Sequence, residues 1–137
     1  MSGITDLNTL LSSISPELQA GEFVFCTIPP ETASPYGLNP VATFIEQEGT
    51  TLVLRRSEAE STRLSFTGTF RQITLKVHSS LEAVGLTAAV ASTLTQKGIS
   101  ANVIAAYYHD HIFVPAARAE DAINALLELA AQSAMPS

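Results

Sequence analysis

The sequence predicts an α+β fold in which helices cover one face of mainly antiparallel sheets. Residues 72–131 have the pattern strand, helix, strand, strand, helix. A hairpin followed by a helix is predicted over 42–64, and the same pattern recurs about sixty residues later, over 101–131. The repeat indicates a duplicated module, and helices packed on one face of a sheet give a two-layer domain.

The composition is that of a folded, acidic protein. Apolar residues make up 46% of the 137 residues, and 13 Asp and Glu oppose 7 Lys and Arg. The basic residues are scattered, with Arg55 and Arg56 as the densest pair, so neither nucleic acid nor an anionic membrane is an expected partner. The sequence has no visible secretory signal and no run of about 20 apolar residues, so a cytoplasmic location is expected.

The first half of the chain is predicted to begin with a helix, because apolar residues recur at helical spacing over 4–14. Residues 22–28 are mostly β-branched or aromatic and predict a strand that is buried on both faces. The proline-rich segment 29–40 is predicted to be a loop, either a functional flap or a spacer. A hairpin is then predicted over 42–55, and a capping-box spacing predicts a helix from Ser57.

The second half has clearer periodicity. Ile73 and Leu75 alternate with polar residues, which is typical of a half-buried strand. The later apolar residues recur at intervals of three and four, which is typical of helices. The predicted elements are a strand over 72–77, a helix from about residue 83 that stops at Gly98, a strand over 102–108, a turn at His109 and Asp110, a strand over 111–114 and a helix over 119–130.

One long segment resembles a known family, the ACT domain, in its branch of short bacterial proteins with two ACT-like units. The segment is LKVHSSLEAVGLTAAVASTLTQKGISANVIAAYYHDHIFVP, residues 75–115. The similarity is specific over 72–130, and ATFIEQEGTTLVL, residues 42–54, resembles the first unit of the same branch. The matching pieces are a strand at 73–77, Val84-Gly85-Leu86 before a helix, Gly98 after it, and Ile99-Ser100-Ala101-Asn102 at the entry to the next strand.

The resemblance implies two ferredoxin-like βαββαβ units in tandem, an N-terminal unit over 1–66 and a C-terminal unit over 67–137. The N-terminal unit departs from the pattern, because the loop 29–40 replaces its first helix. ACT units pair side by side, which implies a seam within one chain or in a homodimer, and an amino acid or similar small molecule bound there. Most ACT domains are attached to an enzyme; this chain has no room for one, so a sensor without catalytic activity is expected.

The candidate ligand site lies around Gly85. If the helix begins near Ala83, the amides of Val84, Gly85 and Leu86 are unpaired donors at the positive end of the helix dipole. Such amides bind a carboxylate, and the resemblance favours this interpretation. The alternative is a capping box that begins at Ser79, which would place Gly85 inside the helix.

Asn102, Val103 and Ile104 complete the candidate site at the entry to the next strand. The side-chain amide of Asn102 can accept a hydrogen bond from an ammonium group and donate one to a carboxylate. Val103 and Ile104 would form an apolar wall beside the ligand. The alternative is that Asn102 is satisfied by the local backbone.

Catalytic functions have weaker support from the sequence motifs. His78, His109 and His111 could hold a metal in a hydrolase or lyase, but a turn at Asp110 would splay the last two rings, and zinc-enzyme spacings are missing. Cys26 lies in an apolar run and is expected to be buried and inert. No motif for a nucleophile, a phosphate loop or a dinucleotide is present. We therefore expect no cofactor, metal or catalytic residue, and a ligand-free interaction module is the further alternative.

Overall fold

The chain forms two compact units, each with its own hydrophobic core. They are seen in a computed structural model that describes residues 3–31, 37–76 and 85–134. The central unit is Ala20–Phe70, and the flanking unit joins Met1–Gln19 to Arg71–Ser137.

Four α-helices and seven strands are present within the described residues. In chain order they are α1 (Gly3–Ser13), β1 (Pro16–Leu18), β2 (Phe23–Ile28), β3 (Ala42–Ile45), β4 (Thr50–Arg55), α2 (Arg56–Ser61), β5 (Phe70–Leu75), α3 (Leu86–Gln96), β6 (Asn102–Ala105), β7 (Asp110–Pro115) and α4 (Ala119–Ala134), with a 3-10 turn at Ala116–Arg118. None of these helices is long and apolar enough to cross a membrane.

The flanking unit has a full ferredoxin-like set of elements because β1 supplies a strand from the N-terminal segment. β1 pairs antiparallel with β5, so that Pro16 faces Leu75 and Leu18 faces Ile73, and the strand order is β1-β5-β7-β6. A strand this short was not predicted, but proline is tolerated as the first residue of a strand. This pairing explains why the first 19 residues belong to the same compact unit as the C-terminal half. The predicted boundary between two ACT units at residues 66 and 67 stays a prediction.

The core of the flanking unit lies between one sheet face and three helices. Ile73 and Leu75 of β5 share this face with Ile112 and Val114 of β7, as predicted, but Thr74 between them is also buried, so β5 is not half-buried at this end. Burying each aliphatic side chain of this size contributes about 1.5–3 kcal/mol, so this layer fixes α3 on the sheet. The helices contribute Leu11 from α1, Leu86, Val90 and Leu94 from α3, and Ala119, Ala122, Ala125 and Leu126 from α4.

The central unit keeps the predicted hairpin. β4 pairs antiparallel with both β3 and β2, and Ile45 faces Thr50 next to the turn. In β2 the residues Val24, Cys26 and Ile28 face the core, whereas Thr27 is exposed. The prediction that this strand is buried on both faces is therefore wrong at its C-terminal end.

Two local predictions are also wrong. α2 begins at Arg56 with no side-chain cap, so the capping box from Ser57 does not form, and the carboxylate of Glu60 contacts Arg56 instead. In the second hairpin, Ala105 faces Asp110, which places the tip at residues 107–108 instead of the predicted 109–110. The reason is the cross-strand register, which ends β6 three residues earlier than the apolar run suggests.

Candidate functional site

Gly85 adopts a left-handed backbone conformation immediately before α3. Its φ is +94°, and its carbonyl accepts the first helical hydrogen bond, from the amide of Ala89 at 2.9 Å. A side chain would be strained at this φ, so glycine is the residue that lets the chain turn into the helix here. α3 therefore begins at Leu86 rather than near Ala83, and Gly85 does not lie inside it.

The N-terminus of α3 presents backbone donors. In an α-helix the first four amides have no partner in the helical ladder, and here they belong to Gly85, Leu86, Thr87 and Ala88. No side chain caps them in the described part of the chain. The predicted amides of Gly85 and Leu86 are in this set, whereas Val84 falls in the segment 77–84, outside the described residues. Donors of this kind, at the positive end of a helix dipole, can hold a carboxylate.

The surroundings of this turn are apolar. A Cβ atom on Gly85 would lie 3.3 Å from Cδ2 of Leu7 in α1, which is closer than most side-chain contacts. The side chain of Leu86 is buried in the core, so a ligand could use its backbone amide but not its side chain. The donors of Gly85 and Leu86 therefore lie next to aliphatic side chains, whereas Thr87 and Ala88 are exposed.

The three predicted residues of β6 do not act as one surface. Successive side chains of a strand point to opposite faces. Val103 packs against the core of the flanking unit, so Asn102 and Ile104 lie on the other face. A single ligand on one face of the strand can therefore contact Val103 or Ile104 directly, but not both.

Asn102 has a local partner. Its Nδ2 donates to the carbonyl oxygen of Phe113 on the neighbouring strand β7, at 3.3 Å. This contact favours the alternative in which the side chain is satisfied by nearby backbone. The ligand-binding role of Asn102 stays a prediction.

His111 belongs to a polar cluster on the sheet of the flanking unit. Its Nδ1 lies 3.0 Å from Nε2 of Gln72 and 3.0 Å from Oγ1 of Thr74, both on β5. Both neighbours can hydrogen-bond to this ring nitrogen, and which group donates depends on the tautomer of His111. Burial lowers the pKa of His111 below its ordinary value of 6.5; the nearby His109 lowers it further, and Asp110 opposes both. The sequence signal for this cluster is that Gln72 and Thr74 alternate with the core residues of β5.

The structure gives no support to a metal centre in the residues it describes. No group of three or more His, Cys, Asp or Glu side chains there is arranged to hold an ion. His78, the third predicted ligand of that alternative, lies outside the described residues. Cys26 is a free thiol and is buried as predicted, and burial raises its pKa, which favours the protonated form.

Comparison with known families decides the classification. Two family models, each for an ACT domain, match residues 2–71 and 69–128. The chain belongs to the ACT domain family. The tandem ACT architecture inferred from the sequence is thereby confirmed, and ACT domains are typically regulatory modules that bind amino acids.

Solved structures with the same fold include one with high sequence identity. A protein of unknown function from Vibrio cholerae, described as a possible transport protein, is 54% identical, with a TM-score of 0.85 over 94% of this chain and 99% of that one. A protein from Agrobacterium tumefaciens is 16% identical, with a TM-score of 0.73 over 85% and 89% of the two chains. The regulatory subunit of aspartate kinase from Thermus flavus is 9% identical, with a TM-score of 0.64 over 85% and 98%. The last two similarities show the fold alone. No curated protein sequence matches the chain.

Proposed function

We propose that this ACT protein is a regulatory sensor that binds an amino acid or a closely similar small molecule and catalyses no reaction. The observation that carries the proposal is the turn at Gly85, which leaves the amides of Gly85, Leu86, Thr87 and Ala88 without partners in the helix. The carboxylate of the ligand would accept hydrogen bonds from these amides at the positive end of the α3 dipole.

Binding at this turn would act by shifting a population. A ligand that binds only the ordered turn stabilises the conformation that contains it, and no bond has to be made or broken. A contact of Asn102 or Ile104 with the rest of the ligand stays a prediction, because both lie on the face of β6 opposite to the core that α3 covers. A homodimer, a ligand at a seam with a neighbouring ACT unit, and a cytoplasmic location stay predictions of the family resemblance.

The test begins with a thermal-shift screen of the protein against the common amino acids, followed by calorimetric titration of each hit. We expect one amino acid to raise the unfolding midpoint in a concentration-dependent way, because a ligand selective for the folded state stabilises it. If no amino acid does so, or if no hit gives saturable heat on titration, the protein is not an amino-acid sensor.

A pair of glycine variants locates the site. Gly85→Ala and Gly98→Ala both place a side chain at positive φ, +94° and +72°, so each should cost about 1–2 kcal/mol of stability. Gly98 follows α3 at its other end and has open space around it. Only Gly85→Ala should weaken the affinity for the ligand, and equal affinities in the two variants would remove the Gly85 turn from the site.

The catalytic alternative, a metal-dependent hydrolase or lyase that uses His78, His109 and His111, is tested by metal analysis of the purified protein. Nδ1 of His111 already lies within hydrogen-bond distance of Gln72 and Thr74, so an ion at that nitrogen would have to displace these contacts. We expect no stoichiometric zinc or iron; finding either would favour the enzyme.

A ligand-free interaction module is favoured by one observation, the exposed aromatic tip of the second hairpin. Tyr107 is 78% exposed and Tyr108 is 71% exposed, and their rings pack edge to face. Large aromatic side chains of this kind are enriched where proteins bind each other. This function would gain support if the amino-acid screen were negative.

A further inference from the structure

The central unit contains a second candidate site, built around Arg55. An open cleft of 370 Å³ lies where the chain enters β2 and where β4 passes into α2. We propose that this cleft binds a small organic anion, a carboxylate or a phosphate, through the guanidinium group of Arg55. The cleft is lined by Gly21, Glu22, Arg55, Arg56, Ser57 and Glu60.

The two carboxylates of the cleft are already paired with Arg56. Nη1 of Arg56 lies 3.0 Å from Oε1 of Glu22, and its Nε lies 3.2 Å from Oε2 of Glu60. These exposed ion pairs add little stability, but they hold both acidic groups on one arginine. Arg55 is therefore the cation of the cleft that a ligand can use.

Arg55 has only uncharged partners among the described residues. Its Nη1 donates to the carbonyl of Ala20 at 3.3 Å, and its Cζ lies 5.3 Å from the ring centroid of Phe23. No described residue accepts a hydrogen bond from its Nε or Nη2, and none of their carboxylates pairs with it. An arginine fork with two free N–H groups matches the two oxygens of a carboxylate or phosphate.

Gly21 allows this arrangement of the guanidinium. The φ of Gly21 is +88°, and a Cβ atom there would lie 3.0 Å from Nη1 of Arg55, a separation that would force the side chain to move. The carbonyl of Ala20 and the ring of Phe23 contact the exposed guanidinium from two sides, which restricts its orientation before a ligand arrives. Such preorganisation lowers the entropic cost of binding.

The size of the cleft points to a metabolite. Its 370 Å³ lies near the lower end of the range for small-molecule sites, larger than a bare phosphate ion requires. The cleft is lined by as many carboxylates as guanidinium groups, so it lacks the basic surface that an extended polyanion such as nucleic acid requires. A compact ligand with one anionic group at Arg55 meets both conditions.

The test is an NMR titration of the ¹⁵N-labelled protein with inorganic phosphate and, separately, with malonate. The signals to monitor are the backbone amides of Gly21 and Ser57 and the Nε group of Arg55. Saturable shifts with phosphate alone assign a phosphate site, and shifts with malonate alone assign a carboxylate site. Either result supports the proposal, and no saturable shift with either anion overturns it. The outcome is independent of amino-acid binding at Gly85.

Charge-matched variants separate a specific site from a general charge effect. Arg55→Gln should raise the dissociation constant of the bound anion about tenfold or more, because it removes the charged fork. Arg63→Gln removes the same charge from the same unit outside the cleft and should leave the constant unchanged. Arg55→Lys keeps the charge without the fork and should give an intermediate value. If the two glutamine variants weaken binding equally while both keep the native spectrum, the proposal is wrong.

Discussion

The two hairpins of the molecule share one register but are combined with different neighbours. In the central unit Ala42 faces Val53, and in the flanking unit Asn102 faces Phe113; each residue of the second pair lies sixty positions after its counterpart. The flanking unit places Gly85 and an 11-residue helix before its hairpin, whereas the central unit has the segment between β2 and β3. The sheet pattern of the duplicated module is therefore kept in both units, while a left-handed glycine that opens a helix is seen, among the described residues, in the flanking unit alone.

The central unit covers its sheet differently as a consequence. Leu38, from the segment before β3, and Leu64 and Phe66, from the segment after α2, pack against its buried cluster. In the flanking unit the corresponding layer is formed by helices, with Leu94 of α3 fully buried. Loop side chains can thus replace a helix as a cover for a sheet, but they do not provide a row of free amides.

The largest effect expected from this difference is on stability. Leu94→Ala should lower the free energy of unfolding by about 2–5 kcal/mol, because it leaves a cavity under α3. Leu38→Ala removes a half-buried side chain from a loop that can collapse, and should cost about 1 kcal/mol. Urea denaturation of both variants measures the two values. Equal costs would mean that the loop is packed as tightly as the helix.

An intermediate effect is expected at the contact that holds the loop of the central unit. The amide of Asn39 donates to Oε2 of Glu58 on α2 at 2.9 Å. Glu58→Ala should cost about 1 kcal/mol and speed hydrogen exchange at the Asn39 amide. Glu48→Ala, at the exposed tip of the first hairpin, removes the same charge and should leave that exchange rate unchanged. Unchanged exchange in both variants would show that the loop is held by Leu38 instead.

The smallest expected effect is a pH dependence that belongs to the flanking unit. Burial lowers the pKa of His111 below 6.5, so the unfolded chain binds a proton more readily than the folded one. The stability that neutral His111 contributes to the folded state is therefore complete above pH 6.5. It is lost as the pH falls from 6.5 towards the lower pKa of the folded state. Burial raises the pKa of Asp110, and this has the opposite effect on stability. Its contribution is complete below pH 3.8, the ordinary value, and is lost as the pH rises through the higher pKa of the folded state.

Denaturation at a series of pH values tests this prediction. His111→Gln should reduce the loss of stability on acidification below pH 6.5, because the variant has no proton to bind at that position. His109→Gln is the control, since it keeps the contacts of Nδ1 with Gln72 and Thr74. If His109→Gln flattens the pH profile as much as His111→Gln does, His111 is not the responsible group.

The sequence allowed the regular elements of both units to be predicted where the pattern was local. The alternation at Ile73 and Leu75 identified the core face of β5, and the helical stripe identified α4 with Glu120 and Asp121 in its first turn. The hairpin around Gly49 was identified in the same way. In each case the signal lies within a single element, so no distant partner is needed to read it.

The parts that were missed depend on partners remote in the sequence. β1 has three residues, too few for a periodic pattern, and it is a strand because Pro16 and Leu18 pair with residues that follow them by more than fifty positions. The tip at Tyr107 and Tyr108 lacks glycine and is made of residues that favour strands, so the turn could not be located locally. The resemblance identified Gly85 as a site candidate, but only the backbone conformation gives the set of free amides.

The pairing of β1 with β5 also affects how the protein can fold during its synthesis. α1 and β1 are synthesised before the elements they need, because β1 pairs with β5 and α1 packs against α4. The strands of the central unit have their mutual partners within Ala20–Phe70 and can assemble while the C-terminal helices are still being translated. α1 and β1 must therefore wait, with their apolar residues uncovered, until α4 has been made.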